Sequence, residues 1–322
     1  MPAVTVVVPT HDRERFLAQT LRSVLRQRDV DLEVVVVDDG SPAGLVSGVV
    51  DGSGDRRVRV VRHDLARGVS AARNSGVAAA RGRWLAFCDD DDLWAPDKLR
   101  DQLAAAGDGW PGWVYTGAVN VNEAGRVVGG RPPLPPEQVA ALLPRRNAVP
   151  GGGSAVLVDR ALLHRAGPFD TGLRNTEDWD LWVRLSRLET PRWVPAPLVG
   201  YRVHGGGSSL VTRQIVRGAE EIERRYGGPL DRVTLYRHLG RLSARGGRRG
   251  EAIGWYARTA LRSGRYRRSG LAVDVLELAG ERGQRLSRRL LGPLRVPRPE
   301  AVADAELATY LADAQQWLDQ LR

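Results

Sequence analysis

The chain opens on a β-branched run, Val4-Thr5-Val6-Val7-Val8, closed by Pro9-Thr10. The run is continuous rather than alternating, which predicts a strand covered on both faces. The period then changes. Between residues 12 and 27, Phe16, Leu17, Leu21, Val24 and Leu25 fall on one stripe and predict an amphipathic helix. Apolar runs return at 32–37, 58–61 and 84–88, with a second helical segment at 68–80. This alternation predicts a mostly parallel sheet, α/β in class, with helices on both faces and right-handed crossovers. Further on, 113–121 reads as a strand, and the Gly- and Pro-rich stretch 129–136 predicts a loop. A short apolar run, 155–158, follows Gly151-Gly152-Gly153-Ser154, whose glycines suit a close backbone approach to a ligand or a hinge. A short helix then ends at Gly167-Pro168. Residues 177–188 form a helix with Leu181, Trp182, Leu185 and Leu188 as its apolar face. Past about residue 210 the period is helical throughout, at 215–226, 233–244, 250–263, 271–279 and 301–321. The expected organisation is an α/β domain over 1–210 and a helical region over 211–322.

Three predicted strands end in polar groups: Thr10 and Asp12, then Asp38 and Asp39, then Asp89-Asp90-Asp91-Asp92. In open α/β sheets ligands bind at the carboxyl ends of the strands, so these groups are expected to converge. Consecutive carboxylates repel one another and cannot be buried bare. A hard divalent cation such as Mg²⁺ or Mn²⁺ suits oxygen-only ligands. An extended backbone would send Asp89 and Asp91 to one side, and Asp90 and Asp92 to the other. The plain alternative is a solvated acidic turn capping the helix that starts near Pro96.

Composition narrows the classes. The chain has 322 residues, 42% of them hydrophobic, enough for a core and against disorder. The formal net charge is +10, and Lys98 is the only lysine, so the positive charge is nearly all arginine. Arginine richness fits either the codon bias of a G+C-rich genome or attraction to anions. No zinc-finger spacing, RNP motif or basic heptad pattern is present, so nucleic acid is not expected as a partner. Cys88 is the single cysteine, which rules out a disulfide framework and fits a reducing compartment. No run of about 18 apolar residues marks a membrane span, and no leader pattern precedes the first strand. The expected location is cytoplasmic. Residues 282–298, rich in arginine with interleaved leucines, fit either a solvated linker or peripheral contact with an anionic membrane at the inner face.

An ordered series of motifs runs through the first two thirds. It comprises Val7-Val8-Pro9-Thr10, Val37-Asp38-Asp39-Gly40-Ser41, Ala72-Arg73-Asn74-Ser75-Gly76, Phe87-Cys88-Asp89-Asp90-Asp91-Asp92 and Thr176-Glu177-Asp178-Trp179. Tyr201-Arg202-Val203-His204 follows. Each alone is weak, since Asp-Asp-Gly-Ser is common turn chemistry. Together, over about residues 3–210, they resemble family 2 glycosyltransferases of the GT-A fold, which invert the anomeric centre. The resemblance implies a nucleotide-sugar donor held at Pro9, Thr10, Asp12, Asp39, Arg73, Asp89 and Asp90. It implies a Mn²⁺ or Mg²⁺ cofactor at Asp91 and Asp89, with His204 as a looser match. It implies a catalytic base at Asp178 with Glu177 beside it; the sequence leaves open which of the two is the base. A UDP-sugar is the expected donor on family frequency. The acceptor stays open among glycan, lipid-linked sugar, natural product and peptide, as in cell-envelope or polysaccharide biosynthesis.

The chemistry accounts for those residue types. Charge develops on the departing diphosphate, where a cation and an arginine stabilise it. An acceptor hydroxyl needs a carboxylate to take its proton. Two other classes compete. A sugar nucleotidyltransferase would want a glycine-rich basic loop after the first strand, and Pro9-Thr10-His11-Asp12 is not one. A catalytically silent nucleotide-sugar-binding protein would be expected to have lost the aspartates, and all are present.

Overall fold

The computed structural model describes residues 2–204, 211–263 and 304–321. The expected helix at 271–279, the arginine-rich segment 282–298 and the glycine stretch 205–209 lie outside them. The chain divides into two units. The first comprises residues 1–143, 147–203 and 304–322; the second comprises 144–146 and 204–303. The helical region expected over 211–322 therefore does not stay together, because its last helix belongs to the first unit.

In the first unit the elements run β1 (Val4–Thr10), α1 (Glu14–Leu25), β2 (Leu32–Asp39), α2 (Leu45–Ser53), β3 (Val58–His63) and α3 (Val69–Ala79). They continue with β4 (Trp84–Phe87), β5 (Leu93–Trp94), α4 (Lys98–Ala106), β6 (Trp113–Val121), β7 (Val127–Arg131) and α5 (Pro136–Leu142). After a 3₁₀ turn come β8 (Val156–Asp159), α6 (Arg160–Ala166), α7 (Glu177–Leu188) and β9 (Arg192–Arg202). The second unit contributes α8 (Thr212–Tyr226), α9 (Arg232–Arg245) and α10 (Arg249–Arg262), and α11 (Asp304–Leu321) returns to the first.

The strands form one sheet in the order β3-β2-β1-β4-β8-β6-β9-β5, with β7 on β6. The long ladders are parallel, seven pairs between β1 and β2 and eight between β6 and β9. The antiparallel ladders of β8 with β4 and with β6 pair three residues each, so the sheet is mostly parallel. Val4, Val6 and Val8 pack with Leu17, Leu21 and Val24 of α1 in the core. On the other face, α3 approaches β1 so closely that a Cβ on Gly76 would lie 2.3 Å from a Val7 methyl.

Two expectations change. Residues 129–131, read as loop, form most of β7. Gly130 lies so near Val119 that a Cβ would meet it at 2.9 Å, so glycine here permits pairing rather than breaking it. The aspartate run is a turn, with the Asp92 amide donating to the Asp89 carbonyl at 3.1 Å. Extended alternation of its side chains therefore does not occur.

Candidate active site

The carboxyl ends of β1, β2 and β4 lie side by side, since Thr10 pairs with Asp38 and Val7 with both Val35 and Phe87. Asp38 turns back to accept from the Ser41 amide at 2.9 Å and pairs with Arg62. Asp39 accepts three hydrogen bonds, from His63 Nδ1 at 2.7 Å and from the Arg67 and Gly68 amides at 2.9 and 2.7 Å. These pin the loop that leads into α3. The same loop crowds Gly40, at φ +81°, where a Cβ would lie 2.6 Å from the Ala66 nitrogen, so only glycine fits. His63 Nε2 lies 2.9 Å from Ser75 Oγ. The Asp39–His63–Ser75 line has the connectivity of a hydrolase triad. Ser75, however, sits inside α3, where its amide belongs to the helix ladder and cannot hold an oxyanion. The line works as a strut between β2, β3 and α3.

At the end of β1, Thr10 is buried, and Asp12 is exposed in a left-handed conformation at φ +55°. The Asp12 amide donates to Ser41 Oγ at 3.1 Å, and His11 Nδ1 meets the Asp39 carbonyl at 2.8 Å. Pro9 is buried opposite Val37.

The aspartate turn divides its carboxylates three ways. Arg13 donates to Asp91 at 2.7 Å and to Asp90 at 3.3 Å. Asp89 receives Arg73 at 2.6 Å. Asp92 goes inward, fully buried, accepting from Ser154 Oγ at 2.6 Å and from the Arg202 amide at 2.9 Å. Thr20 donates to the Asp90 and Asp92 carbonyls, and the Arg202 side chain to that of Asp91. Burial pushes Asp90 up to about 7, with the Asp91 charge adding to it and Arg13 opposing. Asp92 is also pushed well up, first by burial and then by Asp91 and Asp89.

Arg73 links this turn to α7. It is 3% exposed and donates to Asp89 at 2.6 Å and to Glu177 Oε1 at 2.8 Å. Its guanidinium also lies 5.3 Å from the centre of the Phe169 ring. Asn74 holds that segment by exchanging two 2.9 Å hydrogen bonds with the Phe169 backbone. Burial works against the charge of both arginines, yet both hold their protons more tightly than usual, Arg13 through Asp90 and Asp91 and Arg73 through Asp89 and Glu177. Glu177 is buried, and its Oε2 has no hydrogen-bond partner among the described residues.

Asp178 differs from its neighbour. It keeps part of its surface open, with Asn147 Nδ2 at 3.4 Å and its own helix amide, Trp179 N, at 2.6 Å. Gly152 and Gly153 wall the recess. A Cβ on Gly152 would lie 3.5 Å from Asp178 Oδ2, and one on Gly153 3.3 Å from the Arg73 guanidinium. Burial, then the Glu177 charge, pushes Asp178 up to about 7, while Arg73 pulls it down. Trp179 and Trp182 point into packing: Trp179 Nε1 donates to the Leu143 carbonyl, and Trp182 stacks on Trp113 at 5.8 Å.

Six carboxyls thus crowd a site where Arg13 and Arg73 meet carboxylates and Arg202 meets the Asp91 carbonyl. Burial first, and then the neighbouring carboxylates, is why Asp90 and Asp178 hold protons near neutrality. A set of hard oxygen donors short of positive charge fits a divalent cation. Among the described residues, no cluster of three His, Cys, Asp or Glu side chains stands arranged to hold one. Asp89 and Asp91 are instead each held by a separate arginine. His204, expected as a looser metal contact, falls in the second unit. Arg13, Ser154 and Asn147 were not among the residues expected at the site. Arg13 was visible as the first cation after β1. The other two are single polar residues whose importance comes from folding distance.

Comparison with known proteins agrees with this architecture. Residues 5–164 match the model of "Glycosyl transferase family 2", about half the chain. The succinoglycan biosynthesis protein ExoO of Rhizobium meliloti is 42% identical over 106 residues, 33% of this chain and 30% of that protein. The Escherichia coli enzyme named UDP-Glc:alpha-D-GlcNAc-diphosphoundecaprenol beta-1,3-glucosyltransferase WfgD is 29% identical over 182 residues, 56% of this chain and 69% of that one. Among solved structures, S. aureus TarS 1-349 in complex with UDP-GlcNAc superposes with TM-score 0.56 at 17% identity, covering 98% of this chain and 90% of that 1-349 chain. Mannosyltransferase PcManGT from Pyrobaculum calidifontis, in complex with GDP-Man and Mn²⁺, gives 0.55 at 19% identity, covering 98% and 87%. The fold is that of the GT-A glycosyltransferases. The chain belongs to glycosyl transferase family 2, and its enzyme class is glycosyltransferase.

Proposed function

We propose that this glycosyltransferase is inverting and metal-dependent, and moves a sugar from a UDP-sugar to a hydroxyl of a glycan or lipid-linked acceptor. The observation that carries the reading is the pair of hydrogen bonds that Arg73 donates, to Asp89 on the donor side and to Glu177 beside Asp178. It supports one pocket in which the donor diphosphate and the acceptor are both within reach of acidic groups. Glu177 is buried and committed to Arg73, which suits a positioning role. Asp178 keeps an accessible edge and a proton affinity near neutrality, which suits a general base. Pro9, Thr10, Asp12 and Asp39 shape the nucleotide end of the pocket, Asp39 by holding the loop before α3. A divalent ion held by Asp89 and Asp91 would neutralise charge developing on the diphosphate. Similarity to an enzyme named for a diphosphoundecaprenol-linked acceptor supports the lipid-linked option. Similarity to a succinoglycan biosynthesis protein supports a polysaccharide setting.

Isothermal titration with UDP, with and without Mn²⁺, tests the donor side; equal binding in both would remove the metal from the proposal. Asp178→Asn tests the base. Transfer is expected to fall by about 10²-fold or more, while the UDP affinity stays within a few-fold. Parallel loss of binding and transfer would make Asp178 structural instead.

A further inference from the structure

We propose that α10 presents an in-plane docking surface for a bilayer of anionic phospholipid. The helix buries Ala252, Tyr256, Thr259 and Ala260 within the second unit. The face beside it leaves Ile253 53% and Leu261 74% exposed. Ile253, Ala257 and Leu261 repeat at i, i+4 and i+8 and so form one apolar stripe along the helix. On a helical projection Arg249 borders the stripe on one side, and Arg258 and Arg262 on the other; all three are exposed. The single acidic residue of α10, Glu251, is half-buried, accepts from Thr212 and is paired with Arg248, which offsets its charge.

That arrangement selects its occupant by charge and by size. Two aliphatic side chains on one convex helix offer far less than the roughly 800 Å² per partner of a stable protein interface. They are enough for a helix lying at the headgroup boundary, where cationic flanks meet lipid phosphates. Long arginine stems cover apolar surface while their heads stay with the phosphates. The two arginines are held over rings that pack on the core of this unit: Arg258 lies 4.7 Å from the Trp255 ring centre, and Arg262 5.6 Å from that of Tyr236. The surface is separate from the catalytic reading and stands or falls without it.

The test is flotation of the full chain with vesicles of phosphatidylglycerol and phosphatidylcholine, against vesicles of phosphatidylcholine alone. Binding to the mixed vesicles only is expected, weakening as salt is raised. The Ile253→Glu/Leu261→Glu double variant should bind about tenfold more weakly or worse. The Arg258→Gln/Arg262→Gln pair should lose about fivefold for each arginine. Circular dichroism melting of each variant must match the parent, and the arginine pair keeps the test alive if the double glutamate does not fold. No flotation with anionic vesicles, or flotation unchanged in the folded variants, overturns the proposal. So does sedimentation velocity showing that the face joins two copies, with a dimer that the Ile253→Glu/Leu261→Glu change returns to monomer.

Discussion

Two adjacent carboxyls on one helix turn, Glu177 and Asp178, show how packing separates residues that sequence treats alike. One is spent on Arg73; the other faces a recess walled by glycine. The difference has kinetic consequences. A base with a proton affinity near 7 gives a transfer rate that rises with pH through about 7. Glu177→Gln removes a like charge that pushes Asp178 up, so the midpoint of the pH–rate profile should move to lower pH with turnover retained. Abolished turnover would make Glu177 the base. The same shift has a stability side. Asp178 binds its proton more tightly folded than unfolded, so its contribution is full below the unfolded value of about 4 and is lost as pH rises through about 7. The melting temperature of Asp178→Asn should therefore match the parent at pH 4 and exceed it increasingly up to about pH 7. The motifs marked Asp39, Arg73, Asp89 and Asp178 as candidates, because each stands in a fixed local frame. What Arg73 touches was not legible, since Glu177 lies 104 positions away. Nor was the turn in the aspartate run, which an extended reading of the backbone misses.

At the scale of elements, the closeness of α3 and β1 sets where Arg73 can reach. Gly76 is one helical turn from Arg73 and meets Val7 with no space for a methyl. Gly76→Val is expected to push the helix off the sheet, at a cost of about 1–3 kcal/mol in urea unfolding. It should also lower turnover by displacing Arg73 from Asp89 and Glu177. Unchanged stability would mean the layers can slide apart freely. The strands β1 to β4 and helices α1, α3 and α7 were legible because their apolar periods are long and regular. Strand β9 was not, because Pro195 and Pro197 interrupt it and its ladder with β6 slips at Gly117. Strand β7 was hidden by glycines that serve pairing.

For the whole molecule, the notable connection is α11. Tyr310, Ala314, Trp317 and Leu318 pack on Leu93, Val119, Val121 and Leu198 of the first unit. Trp317 Nε1 donates to the Pro197 carbonyl at 2.8 Å, and Gln315 accepts from the Val127 amide at 3.0 Å. Trp317→Ala should cost about 3–5 kcal/mol by urea denaturation, and it should do so in the unit that holds the candidate site. A loss below about 1 kcal/mol would make the helix an ornament of the sheet edge rather than part of its core. Helical period alone predicted α11; its assignment to the α/β unit could not be read from position, because about a hundred residues intervene.

That separation also governs how the protein is made. Strand β9 leaves the ribosome with the apolar edge around Leu198 bare, and the helix that covers it is still untranslated. At about 5–20 residues per second, the wait is on the order of 5–20 seconds. Throughout it, a nascent catalytic unit complete in its strands but open along one side must be kept from its neighbours, which makes this edge the place where a chaperone would find the chain.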